Sequence, residues 1–115
     1  MLTLETLAEY GANVKDGLSK CMEKEEMYLK LVGMAIEDTT FGELEKAMKN
    51  GDTEAAFMSA HKLKGMLANL SLDPILRPVS ELTEYLRGGS AEDHSDLLEE
   101  ICMQHERLEK LSSQS

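Results

Sequence analysis

Apolar residues recur at intervals of three and four along most of this chain, which is the spacing of an amphipathic α-helix. The clearest example is the segment 53–70, which Asp52 or Thr53 can cap at its start through a side-chain oxygen. An α-helix turns by about 100° per residue, so the apolar positions of this segment share a stripe roughly 80° wide. The stripe consists of Ala56, Ala60, Leu63, Leu67 and Leu70. We expect it to face a core.

The same spacing predicts further helices on both sides of this segment. They are expected at residues 3–10, 14–22, 24–38, 41–50, 73–86 and 91–111. The Asp73-Pro74 pair favours a helix start with an acidic cap followed by proline. Pro78 lies inside the same helix and should kink it or delay its regular part, because proline removes a backbone hydrogen bond.

Helices of ten to twenty residues joined by short turns pack best as antiparallel neighbours. We therefore predict an all-α fold, an antiparallel up-down-up-down four-helix bundle with additional short N-terminal helices. The length suits one domain, residues 1–115. Residues 1–22 should form an N-terminal helical lead-in, and residues 112–115 should form a frayed tail.

The charge balance points to a protein partner. Acidic residues number 22 and basic residues 12, so the formal net charge is −10. Such a surface repels nucleic acid and anionic membranes, and neither is expected as a partner. No run approaches the ~20 apolar residues of a membrane span, and the N-terminus lacks the pattern of a signal peptide. A cytoplasmic setting is therefore expected.

Residues that could carry a metal, a disulfide or a catalytic nucleophile are not grouped in the required patterns. Cys21 and Cys102 are too far apart in sequence to indicate a zinc site or a disulfide framework. A di-iron bundle needs Glu-x-x-His pairs, and no histidine has glutamate three residues before it. Nucleophile elbows and phosphate-binding glycine loops are also missing from the sequence. We expect no cofactor of the chain's own.

His61 is the residue whose position indicates chemistry. On the helical wheel it lies about 140° from the centre of the apolar stripe, so it should point to solvent. An exposed neutral imidazole has a free lone pair that can accept a phosphoryl group. Lys64, one turn later, can screen the added charge. Gly65 costs about 1 kcal/mol relative to alanine inside a helix, which suggests that this position needs space.

Each of these residues also has an ordinary interpretation. A surface histidine usually has no function, a surface lysine usually adds solubility, and a helical glycine can be a packing notch. Phe57, Met58 and Ala68 lie on the same side of the helix as His61 and are candidates for partner docking, although Phe57 is equally compatible with partial burial. For His94 and His105 we predict surface or packing roles.

The stretch from Ala60 to Gly65 reads Ala-His-Lys-Leu-Lys-Gly, and it resembles the signature of histidine-containing phosphotransfer (HPt) domains from multistep two-component relays. That signature is His-x-Leu-Lys-Gly after a small residue. The resemblance runs from about residue 11 to residue 86. It includes Leu44, Ala47, Gly51, Asp52, Ala56, Ala68, Asn69 and Leu70. Two departures are Pro78 and Ser71, which stands where many relatives have glycine.

The resemblance implies a phosphoryl shuttle rather than an enzyme. His61 would be the phospho-acceptor, Lys64 the charge partner of the phosphoryl group, and Gly65 the clearance for it. The partners would be response-regulator receiver domains and possibly a hybrid histidine kinase, with Mg²⁺ bound by the receiver. A monomer is expected, since the reactive face must stay exposed.

Two other interpretations of the sequence stay open. The chain could be a small acidic helical adaptor that binds another protein through a helix face, with His61 incidental. It could also be a fragment of a histidine kinase dimerisation region, although such kinases need an ATP-binding domain downstream and this sequence contains none.

Overall fold

The computed structural model describes residues 1–89 and 93–113, and every regular element in them is an α-helix. The helices are α1 (Leu4–Tyr10), α2 (Val14–Lys20), α3 (Glu25–Ile36), α4 (Thr40–Lys49), α5 (Thr53–Asn69), α6 (Asp73–Arg87) and α7 (Ser95–Ser113). The predicted all-α class is confirmed, including two short helices at the N-terminus.

Several helix boundaries differ from the predictions, including the ends of α2 and α3, which each come two residues earlier than expected. The N-cap of α6 is Leu72, which provides no side-chain hydrogen bond, so the predicted acidic cap at Asp73 is wrong by one residue. Leu72 is fully buried, and core packing therefore sets the start of this helix. α7 begins at Ser95 rather than near residue 91 and continues to Ser113, two residues past the predicted end. Ser90, Ala91, Gln114 and Ser115 lie outside the described residues.

Pro78 lies within α6, which continues from Asp73 to Arg87. The proline ring is buried. Packing of an apolar ring against the core offsets the loss of one backbone hydrogen bond.

The core is formed mainly by α4, α5, α6 and α7, with α5 packed against both α4 and α6, and α6 against α7. The predicted stripe of α5 is buried along its whole length, with exposed fractions of 5% or less. The stripe shares one core with fully buried side chains of the other helices: Leu44, Ile75, Val79, Leu82, Ile101 and Leu108. Burial of each such side chain contributes about 1.5–3 kcal/mol. The orientation of α5 is therefore strongly determined, and its opposite side faces solvent.

The α5–α6 turn, residues 70–72, is fastened by the helices that precede the bundle. The buried hydroxyl of Tyr28 in α3 donates a hydrogen bond to the Leu70 carbonyl at 2.8 Å. The Asn13 amide donates to the Ser71 carbonyl at 2.9 Å. Gly17 of α2 lies so close to the Tyr28 ring that a Cβ at this position would be 2.4 Å from it. Only glycine fits there without a shift of the ring.

Ser71 has a φ of 55°, in the left-handed region that favours glycine. A glycine, which the resemblance leads us to expect at this position, would adopt this conformation at no steric cost. Here the Ser71 hydroxyl donates to the carboxylate of Asp16, and Lys20 pairs with that carboxylate at 2.9 Å. Lys20 Nζ also donates to the Ala68 carbonyl at 2.9 Å. These contacts offset the cost of the serine backbone conformation.

The hydrogen bond from Ser71 and then that from Lys20 hold the pKa of Asp16 below its usual range. The ionised carboxylate is therefore the form that favours this arrangement.

Candidate functional site

His61 projects from the exposed side of α5, as the wheel predicts. Its ring lies beside that of Phe57, one turn earlier, with the two centroids 5.7 Å apart and the planes tilted by 40°. Within residues 1–89 and 93–113, neither ring nitrogen has a hydrogen-bond partner. The imidazole is therefore oriented by an aromatic neighbour, while its lone pair stays accessible.

Gly65 borders open space one turn after His61. A Cβ added to this residue would meet nothing within 4 Å. The interpretation of Gly65 as a packing notch is therefore wrong, because none of the elements that the structure describes needs the room. The free volume lies on the solvent side of α5, where an approaching molecule could use it.

Lys64 is half-buried and forms an ion pair with α6. Its Nζ lies 3.5 Å from Oε2 of Glu84, and the same oxygen accepts a hydrogen bond from Nε of Arg87 at 3.3 Å. We call these three side chains the charged cluster. Arg87 lowers the pKa of the Glu84 carboxyl through this hydrogen bond, and Lys64 adds to the effect. The carboxylate is thus shared between two cations.

Arg87 also reaches back towards His61, since its guanidinium carbon lies 5.2 Å from the centroid of Phe57. A cation over an aromatic face is attracted by the ring quadrupole. Phe57 is therefore flanked by the imidazole and the guanidinium. Neither Glu84 nor Arg87 was identified from the sequence. Their positions near the end of α6 become informative only once α5 and α6 are known to pack side by side.

The three candidate docking residues differ in exposure. Met58 is 65% exposed one turn before His61, and Phe57 is half-buried. Ala68 is half-buried near the α5–α6 turn, where its carbonyl binds Lys20. Partial burial of Phe57 agrees with one interpretation of the sequence and leaves its ring beside His61. Docking through these residues stays a prediction.

The other histidines stack on aromatic rings. His94 is buried against Tyr85 with centroids 4.5 Å apart, and His105 stacks on Phe41 at 3.9 Å. One ring nitrogen of His105 also lies 2.7 Å from the Ile36 carbonyl. Of the two roles predicted for these histidines, surface or packing, the structure shows packing for both.

The two cysteines are unpaired, with Cys21 buried and Cys102 half-buried. Burial raises the pKa of the Cys102 thiol. Over the described residues, no group of three or more His, Cys, Asp or Glu residues is placed to hold a metal ion. The same residues include no helix that is long and apolar enough to cross a membrane.

The family model of the Hpt domain matches residues 31–111, which is more than two thirds of the chain. Comparisons with curated proteins and with solved structures found no match. Hpt domains carry phosphoryl groups in two-component and phosphorelay signalling. They interact with receiver domains and histidine kinases and have no kinase or phosphatase site of their own. Because the family model matches most of its length, the chain belongs to the Hpt domain family.

Proposed function

We propose that His61 accepts a phosphoryl group from the aspartate of one receiver domain and passes it to another. The observation that carries this proposal is the exposed imidazole of His61, which has no hydrogen-bond partner among the described residues and lies opposite the buried stripe of α5. An accessible lone pair on a rigid helix meets the need of phosphoryl transfer for positioning.

In the proposed step, the lone pair of one ring nitrogen forms an N–P bond to the aspartyl phosphate. The O–P bond breaks, and its electron pair leaves with the aspartate as a carboxylate. The proton on the other ring nitrogen stays in place, so the ring carries a positive charge beside the phosphoryl group. Transfer to the second receiver reverses these bond changes.

Lys64 and Gly65 support this step in different ways. The ammonium of Lys64 lies one turn from His61 and can bind a phosphoryl oxygen, since charge-assisted hydrogen bonds are the strong ones. Gly65 leaves room for the receiver to bring its phosphoaspartate to the ring. The receiver would supply the Mg²⁺, and Phe57, Met58 and Ala68 would contact it around the reacting centre.

We further propose that residues 1–115 form one domain with α4 to α7 running up-down-up-down. Contacts between α5 and α6 support this direction: Phe57 meets Arg87, and the later Lys64 meets the earlier Glu84. Contacts that move forward along α5 and backward along α6 are expected for two antiparallel helices.

The test is transfer of label from phosphorylated receiver domains. Wild type should acquire acid-labile, base-stable label, as expected for an N–P bond, and His61→Gln should acquire none while keeping its helical circular dichroism. Lys62→Gln is the matched control, because Lys62 is an exposed neighbour of His61 without a proposed role; it should be labelled like wild type. Failure of wild type to be labelled by any receiver in a panel would overturn the proposal and favour the adaptor.

A further inference from the structure

The charged cluster contains more than the charge partner of the phosphoryl group. Lys64 is paired with Glu84 rather than free in solvent, and Arg87 is bonded to the same carboxylate oxygen. Arg87 lies over the ring of Phe57, which neighbours the imidazole of His61. Because Glu84 joins Arg87 to Lys64, the whole charged cluster lies near His61. A phosphoryl group on His61 would therefore meet cations that already have an anionic partner.

The existing ion pairs are of a kind that exchanges readily. The side chains of Lys64, Glu84 and Arg87 are 37%, 58% and 51% exposed, and the two pairs have separations of 3.5 and 3.3 Å. Exposed pairs of this geometry contribute little to stability. A phosphoryl group carries nearly two negative charges and three acceptor oxygens, compared with one charge on the carboxylate. It can therefore take Lys64 from Glu84.

The carboxylate still has an effect after Lys64 has moved. Glu84 belongs to α6 and stays within reach of the same surface, so its negative charge disfavours a second anion nearby. Both the competition for Lys64 and the repulsion act in one direction. They weaken retention of the phosphoryl group on His61.

We propose that Glu84 is a positioning residue that keeps Lys64 occupied while His61 is unmodified and competes with the phosphoryl group afterwards. This inference rests on the proposed function. Glu84 thereby shifts the equilibrium between phosphorylated receiver and phosphorylated His61 towards the receiver. The protein is therefore a better phosphoryl donor than it would be without this carboxylate. The residue specifies how strongly the phosphoryl group is retained, not whether it is accepted.

The experiment measures the equilibrium distribution of label between one receiver domain and the full chain. Glu84→Gln should shift the distribution towards phosphorylated His61 by about two- to five-fold, the range expected for loss of an exposed ion pair. Glu81→Gln is the matched control, since it removes the same charge from an exposed position of the same helix. It should leave the distribution within error of wild type.

Two further measurements separate positioning from a general structural effect. Raising the salt from about 0.05 to 0.5 M should reduce the Glu84→Gln shift, because the screening length falls to a few ångströms. In a Lys64→Ala background, Glu84→Gln should have a smaller effect than in wild type, as for residues that act together.

The outcomes distinguish this inference from the proposed function. If wild type is labelled but Glu84→Gln and Glu81→Gln shift the equilibrium equally, the role of Glu84 is refuted while the shuttle stands. An undiminished effect in the Lys64→Ala background also refutes it. If no receiver labels wild type, the shuttle fails and this inference fails with it.

Discussion

Different kinds of contact hold the C-terminal end of α5 and the region around His61, near the middle of the helix. At this C-terminal end, Tyr28 and Asn13 donate hydrogen bonds to carbonyls of the α5–α6 turn, and the Asp16 carboxylate accepts one from the Ser71 hydroxyl. Around His61, the contacts are exposed ion pairs and a tilted aromatic neighbour. The first region has one arrangement, whereas the second can exchange partners. α5 is therefore held in place at its C-terminal end and along its buried stripe, and its exposed side stays free for a transient partner.

Two glycines show the same difference on a smaller scale. At Gly17, a Cβ would collide with the ring of Tyr28 at 2.4 Å, so the missing side chain serves packing. At Gly65, a Cβ would meet nothing within 4 Å. Its missing side chain therefore serves no packing contact in the described part of the chain. Alanine should therefore lower the stability of the protein at position 17 and raise it at position 65.

The largest effect on stability is expected for Gly17→Ala. The added methyl must displace the Tyr28 ring, and overpacking of this kind costs about 1–3 kcal/mol. Urea unfolding followed by circular dichroism measures the change. Phosphotransfer per folded molecule should stay near that of wild type, because Tyr28 bonds to Leu70, nine residues after His61. An unchanged unfolding midpoint would show that the Tyr28 ring accommodates the methyl group at no cost. It would contradict the claim that the α5–α6 turn is held more firmly than the region around His61.

Tyr28→Phe should have the next largest effect, since it deprives the Leu70 carbonyl of its hydroxyl donor. Loss of a buried hydrogen bond of this type costs about 1–2 kcal/mol. The measurement is the unfolding free energy at neutral pH, with Tyr85→Phe as the control because Tyr85 is about half exposed. Equal costs for the two variants would contradict the role assigned to Tyr28.

Tyr28→Phe should also change how the free energy of unfolding depends on pH in alkaline solution. Burial raises the pKa of Tyr28 from its ordinary value of 10.0 to about 12. The neutral hydroxyl is therefore favoured in the folded state, and its stabilising contribution is complete below pH 10 and is lost as the pH rises towards 12. Unfolding measured across this range should show a shallower decline in Tyr28→Phe than in wild type.

The smallest change in stability is expected for Gly65→Ala, which should stabilise the helix by about 0.5–1 kcal/mol. The added methyl narrows the space beside His61, so transfer from a receiver should become slower. Gly42→Ala is the matched control, because a Cβ there also meets nothing within 4 Å and the residue lies in α4. Its transfer rate should be unchanged. Equal rates for the two variants would end the assignment of Gly65 as clearance.

Much of the fold was predictable because burial follows helical periodicity. The segment 53–70 was expected as a helix and is one at Thr53–Asn69, and the exposure of His61 follows from the burial of Leu63 and Leu67. The start of α6 at Asp73 was predicted, but its cap was misplaced by one residue because a buried Leu72, rather than a polar side chain, precedes the helix.

The contacts that complete the site could not be predicted in the same way. Periodicity shows which face of a helix is apolar, but it does not say which residue of another helix lies opposite. The pairing of Lys64 with Glu84 depends on how α5 and α6 pack across the turn. The hydrogen bond from Ser71 to Asp16 joins positions 55 residues apart. Such pairs require the three-dimensional arrangement.

The anchoring of Ser71 bears on how this relay module could be transplanted. The family match begins at residue 31, yet the α5–α6 turn takes its partners from Asn13, Asp16 and Tyr28. A chimaera joined at the family boundary would place His61 on a helix whose end has lost those partners, next to a serine in a conformation suited to glycine. A fusion point before Asn13 would keep all three partners of the turn. A fusion point at residue 31 would lose them, and glycine at position 71 would then be needed to adopt the backbone conformation without strain.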